Sequence, residues 1–373
     1  MRLLHTADLH LGKTLKGQPL LDDQIHILDE IFYIAKDVDA VLIAGDVYDR
    51  SIPPADAVNL FDETLTKFAE LKIPVLIIAG NHDSAPRLNF GRKIFERQKI
   101  FLAAKIENNP AQVVLEDNFG EVYFSLIPFF DPGEIRAKFF DSDSERLTYD
   151  AANKFYVARA RENIPVGKRS VALAHVFLTG GQKSDSERQF VGGAENVDAE
   201  TFAGYDYVAL GHLHRPQKIS AENIRYAGSP LKYSFDEAEH KKSVTLVELD
   251  GKGFASAEKI SLTPRRDVRI VKGNIFELMK EPRTEDYICA VLTERTINAA
   301  DKLNRNFPNL LNVEFDLEKN FSSKEAATFR EGTSTTDYFA EFYREQTQEN
   351  LSAEYREAMR ELLTELERGE REV

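Results

Sequence analysis

One cysteine, no long apolar run and a deficit of basic side chains bound what this chain can be. Cys289 stands alone among 373 residues, which excludes an intrachain disulfide framework and fits a reducing cytoplasm. It lies in Tyr287-Ile288-Cys289-Ala290-Val291-Leu292 and reads as a small core residue. Apolar runs such as Val75-Leu76-Ile77-Ile78-Ala79 reach strand length, far short of the ~18–20 residues of a membrane helix. Met1-Arg2-Leu3-Leu4-His5 enters apolar structure without a signal-peptide pattern, so no membrane partner is expected. Basic residues number 48 against 62 acidic, a formal net charge of −14. That argues against partners held by bulk electrostatics, so any nucleic-acid role must rest on a local site. Internal repeats and low-complexity tracts are absent too.

What is present suffices for two or three domains with a large core. Short apolar runs at 2–7, 40–44, 74–79, 122–127, 171–174, 207–210 and 244–249 alternate with mixed segments, of which 20–35 and 57–71 carry helical patterns. Near-continuous apolar strands covered by helices predict an α/β layered domain with strands buried on both faces. The Gly-, Ser- and charge-rich stretch 179–193 is expected to be an exposed loop. Thr263-Pro264-Arg265-Arg266 marks a boundary, after which a small α+β unit is expected. The expected domains are therefore 1–263, 264–320 and a helical 321–373. In the last, Phe339, Phe342 and Tyr343 share one helical face; Tyr355, Met359, Leu362, Leu363 and Leu366 share another. Two helices packing on the body and a helical pair that docks a partner are both open readings.

Five of the eight histidines follow apolar strands. The runs end in Asp8-Leu9-His10, Gly45-Asp46-Val47-Tyr48-Asp49, Gly80-Asn81-His82-Asp83, His175 and Gly211-His212-Leu213-His214. Carboxyl ends of strands open onto the ligand crevice of an α/β sheet, so these polar side chains converge. Singly, each is ordinary turn chemistry. Together they are costly to bury unless a metal satisfies them. The glycines at 45, 80 and 211 let the backbone turn sharply beside them. Mixed carboxylate, amide and imidazole donors suit Mn²⁺, Fe or Zn²⁺, with Mg²⁺ a further alternative. So many ligands fit two ions sharing a bridging carboxylate, the arrangement that clamps both oxygens of a phosphoryl displacement. Two divalent ions, Asp8, Asp46, a hydroxide and one phosphodiester also balance in charge. Ala7-Asp8-Leu9-His10-Leu11-Gly12-Lys13-Thr14 imitates a phosphate loop, but its bulky middle residues argue against ATP there.

These motifs, in this order, resemble the calcineurin-like metallophosphoesterases, and in particular their branch of double-strand-break repair nucleases. Ser186-Glu187-Arg188 and Gly228-Ser229-Pro230-Leu231-Lys232-Tyr233-Ser234-Phe235 add to the likeness, which covers 1–320. The resemblance implies an α/β/β/α sandwich with a small α+β cap, C-terminal helices that dock a coiled-coil ATPase partner, and a cytoplasmic homodimer. It implies a two-Mn²⁺ DNA nuclease. Asp8, His10 and His214 would hold one ion, Asn81, His175 and His212 the other, and Asp46 would bridge. His82 would face the scissile phosphate, with the Asp49 carboxylate orienting its ring. Leu9 departs from the aromatic frequent in the family. DNA would meet Arg87, Arg92, Lys93, Arg97 and Lys99, or Arg265, Arg266, Arg269 and Lys272, unless these are solvated faces. His5, His26 and His240 are expected to be structural or exposed. A serine/threonine phosphatase shares Gly45-Asp46-Val47-Tyr48-Asp49-Arg50, yet Ser51 and Asp83 stand where it has Gly and Glu. A non-catalytic DNA-end scaffold is the other alternative.

Overall fold

The computed structural model describes residues 1–141, 145–187, 195–316, 334–347 and 350–369. The apolar runs form the central strands of two six-stranded sheets. In the first the order is Gly253–Ser261, Ser243–Asp250, Arg2–Thr6, Ala40–Ala44, Val75–Ile78 and Ile100–Ala103. The last four run parallel, whereas Ser243–Asp250 returns antiparallel against Arg2–Thr6, pairing Leu4 with Leu246. In the second the order is Gln217–Lys218, Ile224–Tyr226, Tyr207–Gly211, Arg169–His175, Gly120–Ile127 and Ala111–Asp117. Its four inner strands are parallel.

Alternate side chains of each strand serve two cores. Leu3, Leu42 and Leu76 meet Phe124, Leu173 and Tyr207 in a layer between the sheets. On the outer face of the first sheet, helices Leu21–Ala35 and Ala55–Leu71 lay Ile27, Ile31, Phe61 and Phe68 over Val41, Ile43 and Ile77. On that of the second, Pro132–Phe139 and Tyr149–Glu162 cover Ala172, Ala174 and Val208 with Ile135, Tyr156 and Val157. Each such side chain contributes about 1.5–3 kcal/mol by leaving water. The layering is α/β/β/α, and it turns both sets of parallel strand ends to one rim.

A three-stranded parallel sheet, Val268–Gly273, Tyr287–Leu292 and Leu310–Phe315, has its own core of Ile288, Ala290, Leu292, Leu303 and Phe307. Cys289 is buried within it. This small layer belongs to one compact unit with the sandwich, Met1–Asp316. Arg266 donates to the buried Asp23 at 3.0 and 2.6 Å, and the Tyr287 hydroxyl donates to it at 2.8 Å. Residues 317–320 of the expected cap lie outside the described residues.

The second unit, Leu317–Val373, contains helices Thr335–Thr347 and Ala353–Gly369. Ser334 and Ser352 hydroxyls accept from the first-turn N–H groups of Asp337 and Tyr355 at 3.2 Å each, and Arg356 pairs with Asp337 at 3.0 Å. Tyr355 and Leu362 are exposed. The side chains of Phe342, Leu363 and Leu366, which complete the expected faces, lie outside the described ones. Among the described residues no helix is long and apolar enough to cross a membrane.

Candidate metal centre

The strand ends meet through strained backbone. Asp8, His10, Asp46 and His212 have φ of 54°, 43°, 49° and 103°, a region costly for residues with a Cβ. The loops after the strands Arg2–Thr6 and Ala40–Ala44 brace each other: Asp8 donates to the Gly45 carbonyl and His10 to that of Asp46, both at 3.0 Å. Of the three glycines, only Gly45 (φ 93°) needs the left-handed region. Gly80 and Gly211 are required for proximity instead. A Cβ there would sit 2.1 Å from Asp46 Oδ1 or 1.9 Å from the Ala44 carbonyl oxygen.

All seven expected ligands come together. His10 Nε2 lies 3.1 Å from His214 Nε2, and these two with Asp8 form one group able to share an ion. Asn81 Oδ1 lies 3.0 Å from His175 Nε2 and 3.1 Å from His212 Nδ1. Asp46 Oδ2 stands between the two sets, 3.6 Å from His10 Nε2 and 3.4 Å from His175 Nε2. These separations suit shared ions, since donors about 2.1 Å from one cation and roughly at right angles are about 3 Å apart. Asp8 Oδ2 is buried with no hydrogen-bond partner, an arrangement that costs several kcal/mol without a cation. The donor set therefore fits divalent metal.

The electrostatics agree. Burial holds His10, His212 and His214 below their ordinary range, His212 at about 3, so these rings are neutral and able to accept a cation. Burial also pulls His175 down, yet Asp46 beside it dominates and raises it to about 9. Burial pushes the Asp8 carboxyl well up, partly offset by His175, whereas the surrounding rings overcome the same burial at Asp46 and hold it well down. Main-chain N–H groups orient both carboxylates: His212 donates to Asp8 Oδ1 and His82 to Asp46 Oδ1, each at 2.9 Å.

The orientation of His82 differs from expectation. Its Nδ1 donates to the main-chain carbonyl of Asp49 at 2.8 Å, while the Asp49 carboxylate pairs with Lys13 at 2.8 Å. The loop's backbone, turned inward by strand pairing between Leu11 and Tyr48, reaches the ring first. Lys13 is thereby committed, Leu9 and Leu11 are buried, and a Cβ on Gly12 would strike Pro54, so the loop that imitates a phosphate cradle is filled. Of the other histidines, His5 bonds Tyr207 and Leu210 in the core, His26 bonds the Thr263 carbonyl, and His240 belongs to neither ligand set.

Three acidic residues around the centre have roles that the sequence reading did not assign, although Asp83 and Glu187 stand within its motifs. Asp83 accepts from Gly80, Val47 and Tyr48 N–H groups at 2.9, 3.1 and 2.9 Å, stapling the two loops that carry Asp46 and Asn81. It stands in the quoted Gly80-Asn81-His82-Asp83 motif, so a signal was available. Glu187 accepts the His214 N–H at 2.7 Å, and Glu237, paired with Lys242, lies 3.2 Å from His214 Nδ1. Burial would raise Glu237; the Lys242 ammonium outweighs it and keeps the carboxyl well below its usual range. Nothing in the spacing of Glu237 and Lys242 announces them.

A two-sheet sandwich with Asp, His and Asn side chains converging on its strand-end loops has the architecture of a phosphoesterase, and the model of the calcineurin-like phosphoesterase family matches residues 1–216. Longer comparisons narrow the class. The chain is 34% identical over 377 residues to the SbcD component of the nuclease SbcCD from Staphylococcus epidermidis, covering 98% of each, and 36% identical over 285 residues to that of Staphylococcus saprophyticus, covering 75% of this chain and 74% of the relative. The chain belongs to the SbcD family of calcineurin-like phosphoesterases, metal-dependent hydrolases of the nuclease type.

Proposed function

We propose that the chain is a Mn²⁺-dependent DNA nuclease, a double-strand 3′–5′ exonuclease and single-strand and hairpin endonuclease. It works with an SbcC-type coiled-coil ATPase in DNA end processing, repair and recombination. The position of Asp46 Oδ2 between the Asp8–His10–His214 and Asn81–His175–His212 sets carries this reading, because one oxygen so placed could serve two ions. Asp8, His10 and His214 hold one, Asn81, His175 and His212 the other, and Asp46 bridges. When bound, two such ions polarise a phosphoryl oxygen and lower the pKa of water.

The chain's own groups complete the reaction. The Asp49 carbonyl can only accept, so the proton on His82 Nδ1 is fixed and Nε2 is left for substrate. With a second proton on Nε2 the ring is an imidazolium, which stabilises the phosphate or gives that proton to the leaving oxygen while Nδ1–H stays on the Asp49 carbonyl. His10 packs edge-on against it with ring centroids 4.8 Å apart, which limits its swing. For DNA contact the first basic cluster is favoured. Arg265, Arg266, Arg269 and Lys272 each pair with a carboxylate. In the first cluster Arg92 pairs with Glu96 and Glu107, whereas Lys93, Arg97 and Lys99 have no ion pair among the described residues. Phe90 and Ile94, 83% and 69% exposed, support a homodimer within a heterotetramer. The C-terminal helices dock the ATPase, and the complex is cytoplasmic and nucleoid-associated.

The test incubates the chain and Mn²⁺ with an end-labelled duplex and, in parallel, a phosphoserine peptide. Mn²⁺-dependent shortening of DNA with intact peptide is expected. His82→Asn should lower cleavage by about 10²–10⁴-fold while Mn²⁺ binding persists. Peptide dephosphorylation with intact DNA would replace the nuclease by a phosphatase, and normal cleavage by His82→Asn would remove that ring from the chemistry.

A further inference from the structure

Beneath His214 lies a charged cluster that the reaction above leaves unused. Glu237 is 0% exposed and Lys242 4%, and they pair directly. A buried ion pair gains little stability over an apolar one of equal volume, so another role is called for. The contacts of the cluster converge on one residue. Lys242 Nζ donates to the His214 carbonyl and to Ser229 Oγ, both at 2.8 Å, and Glu187 accepts the His214 N–H. Glu237 Oε1 lies 3.2 Å from His214 Nδ1, and Ser186 Oγ lies 2.6 Å from the same nitrogen while donating to Glu237. Glu237 and Lys242 both fall beyond residue 216, where the phosphoesterase match ends, so a later segment reaches back under the centre.

We propose that Glu237, balanced by Lys242 and relayed through Ser186, is a positioning residue for His214 that fixes its proton on Nδ1 and leaves Nε2 bare. Counting protons gives the direction. An ionised carboxylate only accepts, and the single Ser186 hydroxyl proton is spent on Glu237. Both neighbours of Nδ1 therefore accept, so Nδ1 must donate. Lys242 sets the sign, because a neutral Glu237 acid could donate to Nδ1 and reverse the tautomer. A ring with its proton on Nε2 would turn an N–H toward His10 and Asp8, and would have to lose it before accepting a cation. The inference rests on the ligand assignment given under Proposed function.

The test uses the full chain with two readouts, Mn²⁺ titration by calorimetry and side-chain ¹⁵N spectra of histidine-labelled, metal-free protein. Glu237→Leu combined with Lys242→Met removes both charges and leaves none unpaired. Wild type should bind two Mn²⁺, and the double variant should hold one as before and the other about 10–100-fold more weakly. In the metal-free spectra the His214 proton should move from Nδ1 toward Nε2. Ser186→Ala, a milder change on a loop, should weaken the same ion to a smaller degree, and decides the matter if the double variant does not fold. Wild-type affinity for both ions with an unchanged Nδ1–H signal would overturn the proposal. A wild-type chain that binds fewer than two ions would overturn the ligand assignment, and the ¹⁵N spectra would still decide the role of Glu237.

Discussion

Replacing Gly80 by alanine adds one methyl group where the backbone presses directly on the Asp46 carboxylate. The new Cβ would stand 2.1 Å from Asp46 Oδ1 and 2.4 Å from the Asp46 main-chain nitrogen. Ordinary contact between such atoms is about 3.5 Å, so the carboxylate must retreat by more than about 1 Å. It has little freedom to do so, since Oδ1 accepts the His82 N–H and the Asp46 backbone is already in the left-handed region. Overpacking of this kind costs about 1–3 kcal/mol of stability. A misplacement of about 1 Å in a reacting constellation costs about a hundredfold in rate, here in Mn²⁺-dependent cleavage of an end-labelled duplex. Gly133→Ala supplies the control: it lies in the helix Pro132–Phe139 with nothing within 4 Å of a Cβ. That change should leave cleavage unaltered and add about 0.5–1 kcal/mol of stability in urea unfolding. Wild-type cleavage by Gly80→Ala would refute the claim that backbone spacing at this glycine sets the position of the Asp46 carboxylate.

Arg266→Ala leaves the buried Asp23 without its cation and should cost about 3–5 kcal/mol in urea unfolding; a loss under about 1 kcal/mol would show the pair to be dispensable. Arg169 bonds Asp117 at 2.9 and 2.5 Å and holds its carboxyl well below the usual range. The resulting stability is present above the unfolded pKa of about 4 and is lost as pH falls through the lower folded value. Unfolding midpoints of Asp117→Asn should accordingly decline less steeply than wild type below about pH 4, and parallel curves would contradict the linkage. Mn²⁺ at a hundred times its dissociation constant should stabilise the chain by about 2.7 kcal/mol relative to chelated protein, and coincident melting curves would count against the centre.

The parts legible in the sequence are those that repeat one physical signal. Continuous apolar runs ending in Asp, Asn or His marked the inner strands and the residues that meet at the rim, because burial on both faces leaves little polar alternation and gathers most polar side chains at strand ends. Ile100–Ala103, Ala111–Asp117 and Gly253–Ser261 were not anticipated. All three are edge strands, short or half-exposed, and each is completed by pairing on one side only, so burial leaves a weaker apolar signal along them. Asp49 illustrates another limit. The side chain was legible, but the carbonyl that holds His82 is a property of chain direction that any residue would supply. Glu237 and Lys242 follow no apolar run, so only the fold brings them beneath His214.

The order in which the proposed ligands occur along the chain has a consequence for synthesis. Asp8, His10, Asp46 and Asn81 belong to the first sheet, but His175, His212 and His214 come about a hundred residues later, roughly 5–20 s of translation. Even then Arg2–Thr6 keeps an open edge until Ser243–Asp250 arrives to pair with it. A nascent chain thus carries four to six of the seven proposed ligands for about a third of its elongation, from residue 81 to residue 214. Cleavage competence is acquired late, after some two-thirds of the polypeptide has been made.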